Sequence, residues 1–370
     1  MRIVFLGNYV QDEKLSGPEK VAKRLFNEVY SRKIDCVYLE YFFKEYPDSN
    51  LFNRVFGYKH LINSPSVIRA GIFPCIIFLL KYKSDVIHII TFKRYIIIIL
   101  VLKKLFHSKI VTTLHGINRY EFNLARKRQN YWSNLKDRIL EKLIFTGSDL
   151  IVFLSNQQRE VAKQYYKLDE KKVKILPNGI DPIFNTSKNI VNKSGRAKII
   201  FYNGYSHEVK GSKIFFDVLS KLRQKGFDFE IYLFGDKPIQ NLDENIIIKY
   251  VPYFKNRALA KFMADKHIYI NTAFYEPFSL FAVEAMAAGL IVIVSSNVGM
   301  NRYIEHGKNG FIYNCTKQDH LEKILEAILT NKIDMNLISH NASLIYEQLN
   351  WELVTNLYIN SFNQILNKNP

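Results

Sequence analysis

Short apolar runs alternate along this chain with longer segments of helical periodicity, and the alternation persists almost to the end. Residues 2–6 (RIVFL) read as a first strand running into Gly7. A polar loop at 12–16 follows, and Gly17-Pro18-Glu19 then opens a helix over 20–31, with proline suited to a first turn. Further strands are expected at 35–39 (DCVYL), 86–90 (VIHII), 110–114 (IVTTL) and 149–154 (DLIVFL), with helices over 119–145 and 156–166. LPNGID at 176–181 is an Asn-Gly turn, and the polar run 185–197 (NTSKNIVNKSGRA) reads as a linker. The alternation then restarts. Strands are expected at 198–202, 229–234 and 246–251, with helices from Gly211 to about 225 and over 256–265. A last helix over 351–366 carries the apolar stripe Trp351, Val354, Leu357, Tyr358, Phe362, Leu366. Strands that alternate with helices imply parallel sheets. The expected fold is therefore α/β, with two Rossmann-like doubly wound domains at 1–181 and 182–349.

Chemistry concentrates in 271–289, NTAFYEPFSLFAVEAMAAG. It reads as a loop and a helix over 279–288 between strands 267–271 (HIYIN) and 290–295 (LIVIVS), with Pro277 in the first turn, Ser279 as cap and Gly289 as a left-handed stop. In such a βαβ unit the helix start points free N–H groups and a partial positive charge at the strand ends, which suits a phosphate. The amides of Phe278, Ser279 and Leu280 are the candidates. Glu276 stands at that mouth, and Glu284 lies about two turns away along the helix. Two carboxylates beside a phosphate would repel it unless they accept hydrogen bonds from neutral hydroxyls, which a sugar on a nucleotide diphosphate supplies. The alternative is a loop charge and a solvated helix face. Gly17 is either a plain turn glycine or a point of close backbone approach to a ligand. His115, at a strand end before Gly116, belongs to a crevice or to the core. His88 reads as core and His107 as a helix cap.

Composition narrows the classes. A chain of 370 residues, 48% hydrophobic, can bury two cores. Cys36, Cys75 and Cys315 are too dispersed for a disulfide framework or a thiolate metal site, which fits a reducing cytoplasm. The first apolar run is too short for a signal peptide. The net charge of +18 is uneven: residues 1–180 hold 31 Lys and Arg against 16 Asp and Glu, and residues 181–370 hold 21 against 18. FPCIIFLL (73–80) and YIIIILVL (95–102) lie among lysines in the basic half. Neither approaches the ~20 residues of a membrane span. Peripheral contact with an anionic membrane and ordinary core helices both fit; the second is favoured for 95–102, and 62–83 stays open. No nucleic-acid-binding signature is present.

The Glu276/Glu284 spacing, Ala-Met-Ala-Ala-Gly at 285–289, Gly307-Lys308-Asn309-Gly310 and LPNGID resemble the donor site of retaining GT-B glycosyltransferases of family 4. The resemblance implies two domains facing a central cleft, with residues 350–370 packing back on the first. It implies a nucleotide-diphosphate sugar donor and a sugar or lipid-linked acceptor, with Glu276 near the transferred sugar and Glu284 on the ribose. Gly17 and Gly204 would approach the donor phosphates, His115 would bond a substrate hydroxyl, and Lys210 would clamp the diphosphate. Tyr205 stands where the family has an arginine, so another cation fills in or the chain is slow, choosy or inactive. No D-x-D occurs in the chain, and metal-independent chemistry without a cofactor is expected. A nucleotide-sugar epimerase and a degenerate donor-binding partner are the alternative readings.

Overall fold

In a computed structural model the chain forms two compact units, one comprising Met1–Arg119, Arg128–Gly179 and Trp351–Pro370, the other Tyr120–Lys127 and Ile180–Asn350. The structure describes all residues except 10–16, 42–49, 62–63, 92–95, 125–130, 187–195, 204–206, 236–247, 253, 255 and 368–370.

The first unit is built on an eight-stranded sheet. Its strands are β1 (Arg2–Gly7), β2 (Asp35–Tyr41), β3 (Tyr58–Leu61), β4 (Ser64–Ala70), β5 (Val86–Ile89), β6 (Lys109–Thr113), β7 (Leu150–Phe153) and β8 (Val173–Ile175), in the order β3-β4-β2-β1-β5-β6-β7-β8. Only β3 runs antiparallel, against β4. Central strands such as β1 and β5 are buried along nearly their whole length, which is why they read as unbroken apolar runs. The second unit carries β9 (Ala197–Tyr202), β10 (Phe229–Phe234), β11 (Ile248–Val251), β12 (Ile268–Asn271), β13 (Ile291–Ser295) and β14 (Phe311–Tyr313), all parallel, in the order β11-β10-β9-β12-β13-β14. In both sheets the strand order reverses beside the first strand of the unit, so each has a switch point where ligand crevices form.

Several boundaries differ from expectation. Of the helix expected over 119–145, the described residues form Asn118–Leu124 and Tyr131–Gly147, and 125–130 lie outside them. The helix Leu51–Phe56 and strand β3 lie where sequence reading named no element, while β4 and the helix Ile72–Tyr82 fall within the stretch 62–83 that it left open. The run from 95 yields the helix Ile96–Val101 with Ile96, Ile99 and Leu100 buried, as a core helix should. His107 ends the helix Lys103–Phe106 in a left-handed conformation. Among the described residues no helix is long and apolar enough to cross a membrane.

The helix Trp351–Asn367 lies in the first unit, where the Arg32 guanidinium donates to the Glu352 carbonyl at 2.9 Å and to the Asn356 side chain. Trp351, Val354, Tyr358 and Phe362 are buried, whereas Leu357, counted in the expected stripe, is exposed. At the Asn-Gly turn a Cβ on Gly179 would meet the Trp351 ring at 2.4 Å, so the glycine lets the indole close over the backbone. Tyr358 and Phe362 pack against His88, one ring tilted and the other edge-on, with centroids at 5.4 and 5.3 Å. His88 is fully buried, its Nε2 paired with the Thr113 hydroxyl at 2.9 Å, which makes it a core residue.

Burial lowers the pKa of His88 to about 3 and that of His115 to about 4, against 6.5 in a solvated chain. Between these values the unfolded chain takes up protons that the folded one refuses, so stability must fall as pH drops from 6.5 towards 4. Denaturant midpoints across that range should decline, and His88→Gln should flatten the decline. An unchanged slope in the variant would contradict the burial assigned to this imidazole.

Candidate functional site

The site grows from the loop that follows β12. Asn271 ends the strand and turns the chain: its side-chain oxygen accepts from the Ala273 N–H at 3.0 Å, and its amide donates to the Ser279 hydroxyl at 3.1 Å. The Thr272 hydroxyl lies 2.8 Å from the Lys210 carbonyl and 3.0 Å from that of Gly211, and the Phe274 N–H donates to the Val209 carbonyl at 2.8 Å. These contacts stitch the loop to the short helix His207–Lys210. Gly211 allows the close approach: its φ is +66°, and a Cβ there would sit 2.2 Å from the Thr272 carbonyl oxygen. Gly211→Ala therefore combines a left-handed strain with a backbone clash and should destabilise by roughly 1–3 kcal/mol. Denaturant melts check this; an unchanged midpoint would contradict the stitching.

The consequence is that Lys210 and Glu276, far apart in sequence, form an ion pair between Nζ and Oε2. Both side chains keep about one fifth of their surface open to solvent. The Lys210 ammonium also lies 5.8 Å from the centre of the Tyr202 ring, at the end of β9. Glu276 is held from its backbone too. Its N–H donates to the Asn297 carbonyl at 3.2 Å, and its carbonyl accepts from Gly299 at 2.8 Å. A cation and an anion fixed together yet reachable can each exchange its partner for an incoming group of its own complementary charge or dipole.

The helix beside this pair is Leu280–Ala287, starting one residue later than expected. Two corrections follow. Pro277 lies before the helix and outside its first turn. Ser279 occupies the N-cap position, but with φ 77° and no capping hydrogen bond, because its hydroxyl is taken by Asn271. Helix geometry leaves the N–H groups of Leu280, Phe281 and Ala282 without intrahelical acceptors, so of the three expected amides only that of Leu280 is in the first turn. Phe278 is buried and its carbonyl accepts from Met300 at 3.1 Å. The far end behaves as read: Gly289 has φ 78°, and the Gly289 and Leu290 N–H groups return to the Met286 and Ala285 carbonyls at 2.8 and 2.9 Å. Glu284 is 5% exposed, which removes the solvated-face alternative.

Gly307 to Gly310 forms a closed turn, with the Gly307 N–H on the Gly310 carbonyl at 2.9 Å and Asn309 bonded to Glu305 and Tyr303. In this structure it is a scaffold. Gly204 and Tyr205 lie outside the described residues.

Gly17 and His115 belong to the first unit. Gly17 is the first residue of the helix Gly17–Ser31, and Glu19 in its first turn accepts from the Asn8 amide at 2.9 Å. His115 follows β6 by two residues, half-buried, and its buried Nε2 meets no hydrogen-bond partner among the described residues. Burial keeps this imidazole neutral at physiological pH. Two residues that sequence reading passed over hold its loop. The Gln158 amide donates to the Leu114 carbonyl at 2.9 Å, and buried Glu141 accepts from the Asn118 N–H at 2.6 Å and from the Tyr166 hydroxyl at 2.5 Å.

Residues 15–184 match the model of Glycosyltransferase Family 4, and residues 183–344 match that of Glycosyl transferases group 1. An uncharacterized glycosyltransferase, YqgM of Bacillus subtilis, is 21% identical over 72% of this chain and 74% of its own. Sucrose-phosphate synthase from Thermosynechococcus elongatus superposes with a TM-score of 0.76 at 14% identity over the whole of both chains. Anabaena HepE in complex with UDP-glucose superposes with a TM-score of 0.69 at 18% identity over 98% of this chain and 100% of that one. At these identities the two structures speak for the fold.

Proposed function

The chain belongs to the group 1, family 4-type GT-B glycosyltransferases, and from that premise we propose that Lys210, Glu276 and the start of the helix Leu280–Ala287 bind a nucleotide-diphosphate sugar and promote transfer of its sugar to an acceptor hydroxyl with retention of configuration. The observation that carries this reading is the Lys210–Glu276 pair, two groups of opposite charge anchored by their own backbones just before the start of the helix Leu280–Ala287. On donor binding the Lys210 ammonium turns to the diphosphate and Glu276 accepts from sugar hydroxyls. Each keeps a partner throughout, so neither charge is left bare. Glu284, buried on the same helix, takes the ribose, while His115 offers a neutral ring nitrogen to a substrate hydroxyl.

The bond from the anomeric carbon to the phosphate oxygen breaks as the acceptor oxygen bonds to that carbon on the same face. The acceptor proton passes to the departing phosphate oxygen. Lys210 and the helix N–H groups stabilise charge growing on the leaving group, a preorganised electrostatic role that asks no metal of the protein. HepE binds UDP-glucose, which supports a nucleotide-sugar donor here. The acceptor is taken to be a lipid-linked or surface-polysaccharide precursor at the inner membrane face, met by the strongly basic first unit.

The test follows nucleotide release from a panel of UDP-, GDP- and ADP-sugars in the presence of EDTA, with and without membrane lipid extract. Extract-dependent release from one donor is expected. Release that needs added divalent metal would overturn the metal-independent reading, and release without any acceptor would favour epimerase-like or hydrolytic chemistry.

A further inference from the structure

Residues 51–84 contain no acidic side chain and five cations, Arg54, Lys59, Arg69, Lys81 and Lys83. Arg69 is consumed inside the unit by buried Glu40. Arg54, Lys81 and Lys83 border a surface that is unusually apolar. Phe73, Ile77 and Leu80 recur at helical spacing along one side of Ile72–Tyr82 and are 53%, 49% and 43% exposed, while Cys75 and Leu79 face inward. Beside them the helix Leu51–Phe56 turns out Phe52 and Phe56, at 67% and 54%. The rings are continuous: Phe52 and Phe56 are 5.5 Å apart, and Phe56 stacks on Phe73 at 5.4 Å with 8° between planes. A third helix in contact with Ile72–Tyr82, Lys103–Phe106, adds exposed Lys104 and Leu105. Between Tyr58 and the helix lies a groove of about 490 Å³ lined by Pro74, Ile77, Phe78 and Tyr82, with Lys81 at its side.

Single exposed apolar residues are ordinary; a stacked aromatic ridge with its flanking helix side is not. An apolar ridge with exposed Lys81 and Lys83 beside it fits one environment in particular, the interface of a bilayer, where rings enter the acyl boundary and ammonium groups meet lipid phosphates. We propose that this face docks the protein on an anionic phospholipid bilayer, with the Phe52–Phe56–Phe73 ridge and the Phe73–Ile77–Leu80 stripe inserted and Arg54, Lys81 and Lys83 on the headgroups. The proposal deepens the membrane-side reading of the acceptor given above and rests on it only for the acceptor's source. The groove beside Lys81 then accepts an acyl chain whose phosphate the lysine meets.

The test is co-sedimentation of the full chain with phosphatidylcholine vesicles, with or without phosphatidylglycerol, alongside a Phe73→Ser/Ile77→Ser/Leu80→Ser variant and a Lys81→Glu/Lys83→Glu variant. Binding of UDP-, GDP- and ADP-sugar donors is measured on the same samples. The wild type should bind the anionic vesicles and leave the neutral ones, and each variant should bind the vesicles at least about tenfold more weakly with donor affinity intact. Equal binding by wild type and variants, or no binding by the wild type, overturns the proposal; a dimer that the serine variant abolishes would assign the face to a second copy instead. Donor binding without vesicle binding would sink this surface and leave the donor-site reading standing. Vesicle binding without donor binding would do the reverse.

Discussion

Glu276→Ala is expected to lower kcat by about 10²- to 10³-fold, the range for removing one preorganised electrostatic group from a reaction centre. The loss should fall on kcat more than on donor KM, because the carboxylate matters most when positive charge develops at the anomeric carbon. The fold should survive. Both ends of this residue's peptide are held from the backbone, by Asn297 and Gly299, so truncation removes the carboxylate and leaves the loop in place. Glu276→Gln separates charge from shape: it keeps hydrogen bonding to hydroxyls and should still lose most of the rate. Steady-state kinetics on the cognate donor check this, and a variant with near wild-type kcat would remove Glu276 from the chemistry.

Lys210→Ala is the second large effect. A charge-assisted hydrogen bond is worth about 1.5–3 kcal/mol, so kcat/KM should drop by about 10- to 150-fold through this residue alone. The true loss depends on how many other cations reach the diphosphate. Tyr205 stands where the family resemblance places an arginine beside this lysine, so the upper end is expected. Lys210→Arg should recover part of the binding but less of the rate, since a planar fork cannot reproduce a compact ammonium seated above Tyr202. Nucleotide binding and turnover measured together would expose a variant that loses neither.

Much of this was legible in the sequence because buried parallel strands leave unbroken apolar runs. The β12–helix–β13 unit, the Gly289 stop and the lysine-glycine register before Ser212 could all be read from residue type and spacing. What escaped depends on partners distant in sequence. Ser279 looks like a cap by propensity, yet Asn271 claims its hydroxyl and the residue turns left-handed. The pairing of Lys210 with Glu276 spans 66 positions and follows from Thr272 and Gly211 meeting across a loop, which no local pattern encodes. Strands β3 and β4 were missed because β4 begins Ser-Pro-Ser and β3 is a four-residue edge strand, too short and too polar for periodicity to register. Glu141 and Gln158 sit on helices as ordinary polar residues, and only their buried contacts mark them as supports of the His115 loop.

The measurement that tests the central claim most directly is a double-mutant cycle on donor turnover, comparing the wild type, Glu276→Ala, Lys210→Ala and the double variant at saturating acceptor. If the pair acts as one reaction centre, the double variant should be little slower than Glu276→Ala alone, with a coupling of about 1–3 kcal/mol. Strictly additive losses, or single variants that keep wild-type rates, would show that the two groups do not work together and would contradict the site assigned here.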